Sequence, residues 1–182
     1  LTEEVDSNND GTVDRTTTTT YDANGNRSAE ASTSVGSTTV ATFTYDADGN
    51  VLTYEYDDGG DGTNDVSAST TYDANGHLAT YQYDSGADGS VDVRTTYDAR
   101  GNALTHVSDW NGDGTTDRIT FTYDADGNQL LEERDYDDDG TVNFRTTNTY
   151  DASGNLLTSE SDDDGDGSVD FRETLTYGCW AA

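Results

Sequence analysis

The dipeptide Tyr-Asp returns at Tyr21, Tyr45, Tyr72, Tyr97, Tyr123 and Tyr150, with Tyr177 in register but followed by Gly178, at spacings of 24, 27, 25, 26, 27 and 27 residues. Self-similarity at such a period means that one supersecondary unit is laid down repeatedly and buries its faces on its neighbours. Each of the six pairs opens a short turn: Tyr21 to Asn26, Tyr45 to Asn50, Tyr72 to His77, Tyr97 to Asn102, Tyr123 to Asn128 and Tyr150 to Asn155. In each, the Asp can accept backbone N–H bonds across the turn. The Gly four residues after the Tyr supplies the left-handed residue of a type I turn with a bulge. These are hairpin ends.

A second pattern alternates with the first. In the stretch from Asp162 to Glu173, oxygen side chains fall at positions 1, 3, 5 and 9 (Asp162, Asp164, Asp166 and Asp170), with Gly167 at position 6, Val169 at 8 and Glu173 at 12. This spacing resembles the EF-hand loop, in which alternate residues of a tight turn aim carboxylates at one hard cation, position 7 adds a backbone carbonyl and the Gly permits the sharp turn. Five further copies have Asp6, Asn8, Asp10 and Asp14; Asp57, Asp61 and Asp65; Asp84, Asp88 and Asp92; Asp109, Asn111, Asp113 and Asp117; and Asp135, Asp137, Asp139 and Asn143. Positions 1, 5 and 6 recur in every copy. Position 3 is Gly59 and Gly86 in two copies, which lose a side-chain ligand and should bind more weakly. Position 12 is Thr17, Ala68, Thr95, Thr120 and Thr146 outside the last copy, so only that loop keeps the Glu. The set predicts about six calcium sites. The likeness covers the first nine residues of the loop and not a helix-loop-helix hand.

Seven steps separate the turn's last residue from the loop's first, as from Asn50 to Asp57 and from Asn155 to Asp162, and a constant length fixes strand register. The return segments alternate with period two, as in Val169, Phe171, Leu175 and Tyr177, and are rich in Thr and aromatics. That reads as half-buried strand. The distance from loop Gly to the next Tyr is 10 residues in four return strands, 9 from Gly114 to Tyr123 and 8 from Gly89 to Tyr97, and the odd spacing predicts a bulge. Residues 31–37 stand where an acidic loop should be, so that hairpin is expected to close on a plain turn without metal.

The predicted fold is all-β: tandem antiparallel β-hairpins of about 26 residues forming an elongated twisted or spiral up-and-down meander of 14 strands, counted along the sequence. The chain reads as a single array over residues 1–182, with a partial unit 1–19, units 20–43, 44–70, 71–95, 96–121, 122–148 and 149–175, and a tail 176–182. Tyr54, Tyr56, Tyr81, Tyr83 and the turn tyrosines are expected to stack from hairpin to hairpin.

Only 30% of residues are apolar, and 38 acidic residues against 8 arginines leave a net charge of −30 with no Lys, Met or Pro. A thick core is excluded, and such a charge repels nucleic acid and anionic membranes. No apolar stretch is long enough to insert in a membrane. Low hydropathy with high charge is also the composition of disorder, so order requires that something neutralise the charge. Calcium at about 1 mM over loops binding at about 0.1 mM would contribute roughly 1.4 kcal/mol per site. Millimolar calcium is found outside cells, which points to an extracellular or cell-surface setting. The lone Cys179 can form no internal disulfide.

The Tyr-Asp-x-x-Gly-Asn turns followed by Leu-x-Thr resemble the YD repeats of bacterial Rhs proteins and teneurins, and the resemblance implies a β-hairpin shell architecture. The chain departs from those repeats in its acidic loops and in placing Asn, or His77, after the turn Gly. The loops separately resemble the aspartate-rich calcium repeats of thrombospondin type 3 stalks. No self-cleavage or toxin segment is recognisable, and His77, His106 and the repeat-wide Asp pairs offer no distinctive catalytic constellation, so an enzyme is not expected.

The functional expectation is a calcium-binding structural protein whose partners are copies of itself. A chain that opens with one strand of a unit and closes near Tyr177 can continue its sheet head-to-tail by strand addition and give a fibre or fibril. The alternative is a calcium-stiffened stalk of a larger adhesin or carbohydrate-binding surface protein. Trp110 would then stack on glycans rather than shield its loop. Cys179 and Trp180 could latch a junction, and Asn26-Arg27-Ser28 and the Thr16–Thr20 run are candidate glycosylation points.

Overall fold

The computed structural model describes residues 1–110, 112, 114 and 116–177, and these divide between two compact units, Leu1–Asp92 and Val93–Ala182. In the first unit seven strands follow one another: β1 (Thr2–Val5), β2 (Arg15–Tyr21), β3 (Arg27–Ser34), β4 (Ser37–Tyr45), β5 (Val51–Asp58), β6 (Val66–Tyr72) and β7 (Leu78–Ser85). In the second unit seven more follow: β8 (Val93–Tyr97), β9 (Ala103–Ser108), β10 (Asp117–Tyr123), β11 (Gln129–Asp135), β12 (Phe144–Tyr150), β13 (Leu156–Asp162) and β14 (Phe171–Thr174). Within each unit every strand pairs antiparallel with the next in sequence. This is the all-β hairpin meander that the repeat predicts, with 14 strands among the described residues. No helix of the described residues is long and apolar enough to cross a membrane.

The strands are built from Thr and aromatics because both faces stay near water. Val93 is the only buried apolar residue among those described, so lateral pairing replaces a core. Cross-strand Thr hydroxyls meet at 2.7 Å for Thr44–Thr53, Thr71–Thr80 and Thr96–Thr105, and at 2.6 Å for Thr149–Thr158. Phe43 tilts against Tyr54 at 5.2 Å and Tyr54 stacks on Tyr56 at 6.5 Å within one strand.

The turn tyrosines join hairpins by their hydroxyls. Tyr45 Oη donates to the Arg27 carbonyl at 2.8 Å, Tyr72 to Val51 at 2.9 Å, Tyr150 to Gln129 at 2.9 Å and Tyr177 to Leu156 at 3.0 Å. Each acceptor lies at or near the start of the outgoing strand of the preceding hairpin.

At the Tyr-Asp turns the expected geometry is present. Asp46 Oδ1 accepts the amides of Asp48 and Asn50, both at 2.9 Å, its Oδ2 accepts Asn50 Nδ2 at 2.9 Å, and Gly49 sits at φ +89°. Asp22, Asp98, Asp124 and Asp151 repeat this pattern with Asn26, Asn102, Asn128 and Asn155. Register slips once beside each turn, for instance between Thr44 and Tyr45. The hairpin lacking an acidic loop closes on Val35-Gly36, with Ser34 opposite Ser37.

The short spacing from Gly114 to Tyr123 does not produce an extra bulge between β9 and β10, which pair without interruption from Asp117–Ser108 to Thr120–Thr105. The missing residue is taken from the loop: Asp117, position 9, enters the ladder opposite Ser108, whereas in the first unit Val66, position 10, enters opposite Tyr56.

Candidate metal loops

All six acidic loops share one carboxylate-to-amide bond, and five share a fuller scaffold held by their own carboxylates. The position 1 Asp folds back to accept the N–H of the position 6 Gly at 2.8 to 3.0 Å: Asp6 from Gly11, Asp57 from Gly62, Asp84 from Gly89, Asp109 from Gly114, Asp135 from Gly140 and Asp162 from Gly167. Position 9 closes the other end by accepting the position 2 amide, as Asp14 does from Ser7 at 2.7 Å and Asn143 from Tyr136 at 2.7 Å. Asp65, Asp92 and Asp170 do the same for Asp58, Ser85 and Asp163. Position 5 accepts the position 7 amide, as in Asp10–Thr12, Asp61–Thr63, Asp88–Ser90, Asp139–Thr141 and Asp166–Ser168. The Thr12 amide holds the Asp10 carboxyl, and the Ser168 hydroxyl and then its amide hold the Asp166 carboxyl, below the ordinary Asp value.

Position 4 is left-handed throughout: Asn9, Gly60, Ala87, Gly112, Asp138 and Gly165 have φ between +48° and +73°. That regularity was hidden in the sequence because the residue type varies. At Gly60 and Gly165 it permits close approach to the preceding hairpin, whereas a Cβ on Gly112 would meet nothing within 4 Å. A Cβ on Gly165 would lie 2.1 Å from the Val142 carbonyl, and one on Gly60 would lie 2.7 Å from Thr38 Cγ2. Asp138 uses the same place for an ion pair, accepting from Arg118 Nε at 2.5 Å and Nη2 at 2.9 Å and from Thr116 Oγ1 at 3.2 Å. Those bonds to Arg118 hold Asp138 low and raise Arg118. The spacing of oxygens gave no hint of this link.

The loops differ at position 3. Where it is Asp, the carboxylates of positions 1, 3 and 5 converge: Asp135, Asp137 and Asp139, and separately Asp162, Asp164 and Asp166, each bring ligand oxygens within 4.8 Å of one another. Oxygens around one calcium at about 2.3–2.6 Å lie at most about 5 Å apart, so both triads fit a hard cation. Desolvation and then the charges of Asp139 and Asp135 push the Asp137 carboxyl above its usual range, the signature of crowded like charges.

Where position 3 is Gly, the chain path changes. Gly59 and Gly86 take φ +130° and +93°, and their amides dock on the preceding repeat, Gly59 to the Thr38 carbonyl at 2.8 Å and Gly86 to that of Asp65 at 2.5 Å. Glycine there serves backbone docking as well as omitting a ligand.

Among the other predicted ligands, Asn8 Oδ1 accepts the Asp10 amide at 2.9 Å, and Asp117 lies at the head of β10. Glu173 lies in β14 opposite Ser159 rather than with the Asp162 triad, because the returning chain joins the sheet at Phe171 where a hand would begin a helix. Asn111, Asp113, Cys179 and Trp180 lie outside the described residues. Asp57, Asp84, Asp92, Asp135 and Asp162 are buried, and Asp84 Oδ1 and Asp109 Oδ1 are enclosed without a hydrogen-bond partner. Trp110 is 68% exposed, Asn26 Nδ2 is tied to Asp22 at 3.1 Å, and His106 Nδ1 meets Thr95 Oγ1 at 3.0 Å.

No protein-family profile matches the chain, and no curated protein matches it. Solved structures do. The crystal structure of TcdB2-TccC3 without its hypervariable C-terminal region is similar with a TM-score of 0.60 at 20% identity, over 89% of this chain and 9% of that one. The TcdB2-TccC3-TEV crystal structure gives 0.58 at 20% over the same shares. The Photorhabdus luminescens Tc holotoxin pore carrying a TccC3 mutation gives 0.56 at 21%, over 81% of this chain and 8% of that one. The likeness is one of fold, that of tandem β-hairpin repeats, and the chain spans about 9% of the length of the proteins it matches.

Proposed function

We propose that this chain is a calcium-stiffened structural β-repeat of an extracellular or cell-surface protein. The observation that carries the reading is the convergence of Asp135, Asp137 and Asp139, and of Asp162, Asp164 and Asp166, each within 4.8 Å. Three carboxylates so close repel one another unless a cation sits among them. Calcium suits an all-oxygen set with a flexible position 7 carbonyl. In the proposed state Asp6, Asp57, Asp84, Asp109, Asp135 and Asp162 anchor one ion each, and the position 5 and position 9 side chains complete the charge. The fold likeness to the TcdB2-TccC3 chains is consistent with the YD-repeat resemblance of the turns and supports a scaffolding role.

In this reading a net charge of −30 disfavours nucleic acid and anionic membrane as partners. A second copy added head-to-tail onto an outer strand, β1 or β14, makes a fibre. A stalk of a larger adhesin, with glycans as ligands, is the second reading. It is favoured by the neighbours carrying this fold as about 9% of a longer chain. Electron microscopy of the purified chain in calcium and then in excess EGTA tests the proposal. Ordered fibres or rods that loosen in EGTA are expected, with length deciding between the two assemblies. Particles indifferent to EGTA would overturn the calcium role.

A further inference from the structure

The third loop carries a conclusion that its ligand count does not suggest. Asp84 and Asp92, its positions 1 and 9, are 7% and 9% exposed. Both carboxylates are turned into their own loop, since Asp84 Oδ2 accepts the Gly89 amide at 2.9 Å and Asp92 Oδ2 accepts that of Ser85 at 2.5 Å. Asp84 Oδ1, however, is enclosed with no hydrogen-bond partner. The same atom is satisfied in sister loops: Asp57 Oδ1 accepts from Gly60 at 2.8 Å, Asp135 Oδ1 from Asp139 at 3.1 Å and Asp162 Oδ1 from Gly165 at 2.8 Å. Across the ladder Asp84 faces Ser67, whereas Asp135 faces Arg118 and Asp162 faces Arg145. Asp109 Oδ1 shares the property, but its position 3 and position 5 residues, Asn111 and Asp113, are outside the described set.

A buried carboxylate oxygen with nothing bound to it carries a large desolvation cost, which a cation removes directly. The loop cannot readily swing away to relieve it, because Gly86 is docked on the Asp65 carbonyl. We infer that the loop from Asp84 to Asp92 takes a hard divalent cation on Asp84 Oδ1 as a structural component. It is as poor in side-chain ligands as the Asp57 loop, yet its order depends on the ion more than that loop's does. Asp88 and Asp92 supply the remaining carboxylate charge, and water fills the place that Gly86 leaves at position 3. The inference rests on the calcium reading above and narrows it to one loop.

The test uses the whole chain, with calcium as the probe. Amide exchange is read at Ser85 and Gly89, the donors to Asp92 and Asp84, and calcium stoichiometry is read by calorimetry. In the native sequence calcium should slow exchange at both amides at least tenfold relative to EGTA. Asp84→Asn should abolish that slowing and lower the stoichiometry by one, yet in EGTA exchange no faster than the native chain, because the orphaned charge is gone. Asp92→Asn keeps an oxygen for Ser85, as Asn143 does for Tyr136, so it should fold normally and show a smaller calcium effect. Full stoichiometry and full slowing in both variants would overturn the inference and leave calcium binding at other loops intact. No calcium bound by the native chain would overturn both. Should Asp84→Asn fail to fold, an unchanged calcium effect in Asp92→Asn is the overturning result.

Discussion

The loops at Asp57 and Asp84, in the first unit, and those at Asp135 and Asp162, in the second, start from the same nine-residue pattern and diverge at its third position. In the second unit an Asp at that place gathers three carboxylate oxygens within 4.8 Å. In the first, Gly59 and Gly86 turn left-handed and give their amides to the preceding repeat. One position is thus used for a ligand in two of these loops and for packing in the other two. Both kinds of loop nevertheless approach the preceding hairpin, Gly60 beside Thr38 and Gly165 beside Val142. The comparison teaches that contact with the preceding hairpin is kept in these four loops while the number of metal ligands varies around it.

Breaking the stack should have the largest effect. Gly165→Ala would drive a Cβ to 2.1 Å from the Val142 carbonyl while holding φ at +73°. A loss of about 3 kcal/mol from the second unit is expected from overpacking and left-handed strain together. Gly167→Ala, at φ +89° with nothing within 4 Å, should lose only the strain, about 1–2 kcal/mol. Urea denaturation of both variants in calcium checks the order, and equal losses would refute the close stacking.

The next test sharpens the meaning of the position 3 glycine. Gly86→Asp restores a ligand on paper, so if that Gly were merely a missing carboxylate the variant would bind calcium more tightly. Because Gly86 sits at φ +93°, the expected outcome is instead a loss of about 1 kcal/mol, with no gain of affinity in calorimetry.

The smallest effects are protonic. Asn side-chain bonds and then backbone bonds hold Asp46, Asp98, Asp124 and Asp151 below the ordinary value of 3.8, and Asp22 and Asp73 are held low chiefly by the Asn26 and His77 amides. A lowered folded value means the stabilisation is complete above 3.8 and is lost as pH falls through the lower folded values. Asp137 has the opposite sign: desolvation and then the charges of Asp139 and Asp135 raise it, so its ionisation destabilises the fold as pH rises through 3.8 and acid relieves it. Carboxyl titration by NMR in EGTA should find the turn aspartates below 3.8 and Asp137 above it, and an unshifted Asp137 would show that its triad does not converge.

Much of this was legible in the sequence. The Tyr-Asp period fixed the hairpin count, and the constant seven-residue step set the register. The turn Asp-Gly pairs specified a bonded turn with a bulge, because each is a local geometric requirement met by one residue type. What stayed hidden was contact between repeats. The reach of Tyr45 to Arg27, the pairing of Asp138 with Arg118 and the closeness of Gly165 to Val142 depend on how one hairpin end lies on another, and no spacing within a unit encodes that. Glu173 misled for the opposite reason: its place in a loop pattern was right, but the chain beyond Asp170 runs as a strand.

The most direct measurement is calorimetric titration of calcium into the chelator-stripped chain, set beside the double variant Asp137→Asn with Asp164→Asn. Saturable binding in the native chain, with the tightest sites gone from the variant, is the expected result. No saturable binding in the native chain, or identical isotherms for the two proteins, would contradict the reading of the converged triads as calcium sites.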